Sequence, residues 1–143
     1  MTDKKEDFKI ILEYVKDLSI ETPSASALIL VKDRIPTYNL DIDISSSILK
    51  NNLLEVVTKL ILQDKKENKE KAYFEINYAT VISLDQSIKD KKRISEIVLC
   101  DLQNQVYPKI QDIFLNFIRK CGYPELQIEK KLDFEKLYNE KFN

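Results

Sequence analysis

The sequence lacks histidine altogether and holds one glycine and two cysteines in 143 residues. Without histidine the commonest general base and metal ligand is missing, and two thiols alone do not make a usual zinc site. Gly122 as the only glycine excludes a glycine-rich phosphate loop, which needs close backbone approach and positive φ at several positions. Cys100 and Cys121 are too few for a disulfide scaffold, so both read as packing thiols of a reducing compartment. No net charge of one sign stands out either: 23 Lys and Arg face 24 Asp and Glu, which gives no general field for nucleic acid or anionic membranes. The start, Thr2 to Asp7, is polar, with no signal core behind it, and no apolar run approaches the roughly 20 residues that span a bilayer. These absences point to a cytoplasmic, non-enzymatic protein without cofactor or metal.

What is present is 43% hydrophobic residues, enough for one domain over 1–143 with a modest core and a flexible stretch at 1–7. From Phe8 to Glu21 apolar residues alternate with polar ones, a strand period, except that Ile11 and Val15 break the polar parity. Either a bulge or a second covered face accounts for them. Thr22 to Thr37, with Pro23, Pro36 and a serine cluster around Leu28 to Val31, reads as a long connection with an apolar inner side. Tyr38, Leu40, Ile42 and Ile44 interleave strictly with Asn39, Asp41, Asp43 and Ser45, a second strand. Leu53 to Leu62 and Phe74 to Leu84 form a hairpin about the charged turn Asp64 to Lys71.

After the charged connection Gln86 to Arg93 the period becomes helical: Leu102, Val106, Ile110, Ile113, Phe114, Phe117 and Cys121, stopping at Gly122. With Tyr107 and Ile118 these positions fill an arc of roughly 160°, wider than a one-sided surface helix needs, so one side is expected to meet another chain or a groove. Asp133 caps a last, shorter helix with Phe134, Leu137, Tyr138 and Phe142 on one side. The sum is α+β: a four-stranded antiparallel sheet with two C-terminal helices on one face.

The run Tyr14-Val15-Lys16-Asp17-Leu18-Ser19-Ile20-Glu21-Thr22-Pro23 resembles the opening strand of the SecB export chaperones. Lys32-Asp33, Pro36, Leu40-Asp41-Ile42-Asp43, Glu55-Val56-Val57, Gly122-Tyr123-Pro124-Glu125-Leu126 and Asp133-Phe134-Glu135-Lys136-Leu137-Tyr138 follow in that family's order. Departures are the helix opening Leu102 to Gln111 in place of a Cys-Pro run, Tyr78-Ala79-Thr80-Val81 in place of a Gly-rich strand, Arg34 for a loop tryptophan, and an end at Asn143 without an acidic tail.

The resemblance implies an ATP-independent holdase that binds unfolded precursors and passes them to SecA, built as a dimer of dimers. It places client contacts at Leu28, Leu30, Ile35, Tyr38, Leu40, Ile42, Leu137, Tyr138 and Phe142, and SecA contacts at Asp17, Glu21, Tyr73 and Glu75. Val106, Tyr107, Ile110, Phe114, Phe117 and Ile118 would lie at the tetramer interface. The changed helix start and missing tail motivate an alternative, a SecB-like chaperone dedicated to one partner such as an antitoxin, without SecA delivery. Judged by residue type alone, Tyr38, Leu40 and Ile42 are ordinary strand core, and Asp17, Glu21 and Glu75 ordinary solvated charges.

Overall fold

The computed structural model describes residues 6–34, 38–64, 71–123 and 132–142. Four strands, β1 (Phe8–Glu21), β2 (Tyr38–Ile48), β3 (Leu53–Asp64) and β4 (Tyr73–Leu84), make one antiparallel sheet in the order β1-β4-β3-β2. Burial in β3 alternates although its apolar residues do not: every even position from Leu54 to Asp64 is buried and every odd one half-buried. The even face carries the helices. Leu60, Phe74, Ile76 and Ile82 are fully buried there, and each such side chain contributes roughly 1.5–3 kcal/mol by leaving water.

The parity break in β1 is bulging rather than a second covered face. Its pairing with β4 slips between Ile10 and Leu12 and again between Val15 and Asp17. Each slip adds one residue and exchanges the faces, so the side chains between the slips, Glu13 and Val15, share the helix face with Tyr78 and Thr80, while Leu12 and Tyr14 turn outward.

Two connections read as loops contain helices. Ala25–Arg34 is a helix, α1. Ser24 caps it: its hydroxyl accepts from the Ala27 amide at 3.1 Å. Ala27 and Val31, four residues apart, are its buried stripe. In the other connection Asp90 caps α2 (Lys91–Glu96), its carboxylate accepting from the Lys92 amide at 3.1 Å. The π-helical turn Ile97–Asp101 joins α2 to α3 (Leu102–Lys120), and α4 (Phe134–Phe142) closes the chain. Asp133 caps α4 through the Lys136 amide, as its position in the sequence suggests.

The wide apolar arc of α3 is filled inside the subunit. Val106, Tyr107, Ile110, Phe114 and Ile118 are all buried, and Tyr107 meets Phe134 of α4 edge to face at 5.3 Å. The arc is wide because the sheet and α4 cover adjoining flanks, so its width does not by itself call for another chain. Asp7, assigned to the flexible start, is also tied down. Its carboxylate takes the Arg93 guanidinium at 2.6 Å and its carbonyl takes the Asp85 amide at 2.8 Å.

Candidate functional site

β2 is an edge strand, and among the described residues nothing pairs with its outer side. Tyr38, Leu40, Ile42 and Ile44 point from it to the helix face, each half-buried. They form a row of about 20 Å at the usual rise per residue. Against its far end α4 and the π turn complete a cavity of about 200 Å³ lined by Ile42, Ile44, Leu99, Phe134, Leu137 and Tyr138, with Asp43 as the one charged residue. Here apolar surface stays open beside unpaired backbone donors and acceptors, the combination that suits an extended apolar peptide.

The framing of this groove is polar and specific. Tyr138 donates its hydroxyl to the Lys92 carbonyl at 3.3 Å, and the Cys100 thiol donates to the Phe134 carbonyl at 3.3 Å. Burial, followed by the charges of Asp101 and Glu96, pushes the Cys100 thiol up to about 11, so it is a packing group and not a nucleophile at neutral pH. At the near end Tyr38 accepts from the Ala72 amide at 3.2 Å and touches Phe74, which stacks edge on with Tyr123 at 4.9 Å. Tyr123 hydrogen-bonds Thr22, just before α1.

The structure thus gathers Ile42, Leu137 and Tyr138 in one cavity, with Tyr38 and Leu40 in line with it. Leu28 lies at the α1 end, 3.6 Å from where a side chain on Gly122 would begin, and Leu30 is exposed. Ile35 and the Phe142 side chain lie outside the described residues. Sequence reasoning left out Ile44, Leu99 and Phe134. Ile44 continued the alternation and was available; Leu99 was not, because it sits on a π turn that no helical period reveals.

The outer face of the sheet is different chemistry. Register puts Asp17 beside Asn77, Ser19 beside Glu75 and Glu21 beside Tyr73, all on that face, so the four residues mapped to a SecA surface do adjoin. Tyr73 donates to Glu75 at 2.6 Å and Asn77 donates to its other oxygen at 2.9 Å. The bond to Glu75, with burial and the charges of Glu75 and Glu21, pushes the Tyr73 hydroxyl up to about 12. Exposed apolar surface remains on β1: Leu12 is 48% exposed on this face, while Ile11 at the bulge is 51% and Val15 on the helix face 41% exposed. Of the six α3 residues mapped to a tetramer interface, Phe117 alone is half-buried; the subunit itself covers the others.

Comparison with known proteins gives the fold its context. The family model described as preprotein translocase subunit SecB matches residues 1–143. The chain belongs to the SecB family. It is 44% identical to a putative protein-export protein SecB of Pelagibacter ubique, over 96% of this chain and 99% of that one. The protein-export protein SecB of Nitrobacter winogradskyi is 25% identical over 92% of this chain and 80% of its own length. Among solved structures, a Mycobacterium tuberculosis SecB-like chaperone in complex with a peptide from the HigA1 antitoxin superposes with a TM-score of 0.65 at 15% identity, covering 86% of each chain. That likeness establishes the SecB-like fold. SecB proteins are protein-export chaperones, and no helix among the described residues is long and apolar enough to cross a membrane.

Proposed function

We propose that this SecB-family protein is an ATP-independent cytoplasmic holdase. In this reading, unfolded precursors lie extended along β2, put alternate side chains into the row from Tyr38 to Ile44, and bond their backbone to its free edge. The observation that carries it is the half-open cavity between Ile42, Ile44, Leu99 and α4, beside a strand whose outer edge pairs with none of the described residues. Each buried CH₂ contributes roughly 0.8 kcal/mol, so firm holding needs several such contacts along one client. The acidic outer face around Asp17, Glu21, Tyr73 and Glu75 serves to dock SecA. Assembly into a homotetramer uses the exposed β1 edge and Phe117. The test is aggregation of a slow-folding precursor without nucleotide: suppression at one tetramer per precursor is expected, and undiminished aggregation contradicts the holdase reading.

A second reading keeps the groove and narrows its client to one partner such as an antitoxin, without SecA. The antitoxin peptide held by the Mycobacterium tuberculosis SecB-like chaperone favours it. A panel of unrelated unfolded proteins separates the two, since a generalist holds many of them and a specialist none.

A further inference from the structure

A buried amide lies beneath the groove. Gln103, on the first turn of α3, is fully buried, an uncommon place for a side chain with two donors and an acceptor. Its Oε1 accepts from the Thr58 hydroxyl of β3 at 3.1 Å, and its Nε2 donates to the Val98 carbonyl at 3.2 Å. Thr58 is itself fully buried. Val98 belongs to the π turn, in which the Leu102 amide reaches back five residues to Ile97. A π turn contains one residue more than an α turn and aligns its carbonyls poorly with its amides, so a side-chain donor there has a definite use.

The extra residue has geometric consequences. At 100° per residue an uninterrupted α-helix would put Ile94 about 80° outside the buried arc of α3; one added residue turns it about 20° inside, against the core where it packs. Within the turn, Leu99 points into the cavity with Ile42 and Ile44, and Cys100 holds the Phe134 carbonyl. Upstream, the Lys92 carbonyl receives Tyr138. These two hydrogen bonds between α4 and this helical run, and the leucine under the groove, therefore depend on the turn staying π.

We infer that Gln103 is a positioning residue for the peptide groove, clamping the π turn to β3 so that Leu99 forms the floor and α4 the wall at the spacing an apolar side chain needs. The inference rests on the groove being the client site. Nothing in the SecB resemblance at Leu102 to Gln111 requires it, since that stretch is where this chain departs from the family pattern.

The test uses the full chain carrying Cys121→Ser, so that Cys100 is the only thiol. Two fluorescent 15-residue peptides, alternating serine with either phenylalanine or alanine, report the groove; iodoacetamide labelling of Cys100 reports the turn. Gln103→Met, similar in volume but unable to hold Val98 or Thr58, is expected to raise the labelling rate about tenfold as the turn relaxes and uncovers the thiol. It should also shrink the preference for the phenylalanine peptide about tenfold, an effect that lowered global stability alone does not produce below the melting temperature. If labelling and preference are both unchanged, or either changes without the other, the positioning role is wrong. Should Gln103→Met not fold, Thr58→Val frees one end of the same amide, with a rise of about threefold expected in labelling and a parallel loss of preference; no rise overturns the inference. Unsubstituted protein that binds neither peptide contradicts the groove reading instead, and it does so before any substitution is made.

Discussion

Glu13 shows what one inserted residue does to a side chain's chemistry. The slip at Ile11 turns this carboxylate to the helix face, where it accepts from the Tyr78 hydroxyl at 3.0 Å and the Lys109 ammonium at 3.1 Å. Burial, then the bond to Glu13, pushes Tyr78 up to about 12. A tyrosine harder to ionise when folded leaves stability intact below its unfolded value of 10.0 and lowers it as pH rises toward 12. Denaturant midpoints between pH 9 and 12 should therefore fall, and Tyr78→Phe should flatten that limb while costing about 0.5–1.5 kcal/mol at neutral pH. A limb unchanged by the substitution would exclude Tyr78 as its source. A side chain added at Gly122, at φ +105, would meet Leu28 at 3.6 Å, an ordinary contact among the described residues, so Gly122→Ala should lose about 1–3 kcal/mol through backbone strain. Parity alone could not have placed Glu13, because an inserted residue and a strand covered on both faces produce the same break in alternation.

At the scale of elements, β2 and β4 were legible from their alternation and β3 from its β-branched and aliphatic content, and so was the cap at Asp133. α1 was not, because Pro23 and the serines read as loop. Yet Ser24 followed by Ala27, Leu28 and Val31 is a cap with a helical stripe, and that signal was present. Ser24→Ala should cost about 1 kcal/mol, measured by thermal unfolding. The groove was legible on its strand side, where Tyr38, Leu40 and Ile42 alternate, and illegible at its floor, where Leu99 rides on a π turn. Its wall can be tested separately: Leu137, exposed at 40%, contributes little to the core. Leu137→Asp should leave the melting temperature within a degree or two and weaken an apolar peptide about tenfold.

Across the whole molecule the two sheet faces divide the work. One carries helices, core and groove; the other carries Asp17, Glu21 and Glu75 in adjoining strands. A partner attracted to that outer face is held by screened charges, so Asp17→Lys with Glu21→Lys should weaken SecA docking most at low salt while peptide affinity at the groove stays constant. The width of the long helix's apolar arc suggested another chain or a groove on one side. The arc instead covers its own sheet and α4, and the open apolar surface lies at β1, which two bulges had hidden. Ile11→Lys with Val15→Lys should thus reduce an assembly to the 16.8 kDa chain in sedimentation, whereas an unchanged mass would place the contact elsewhere.

Hydrogen exchange in the presence of an unfolded, export-competent precursor tests the groove most directly. Slowed exchange along 38–44 and in the π turn and α4, with the outer face of β1 and β4 unaltered, is the predicted result. Protection confined to β1 or the outer face, with β2 exchanging as in the free protein, would contradict it.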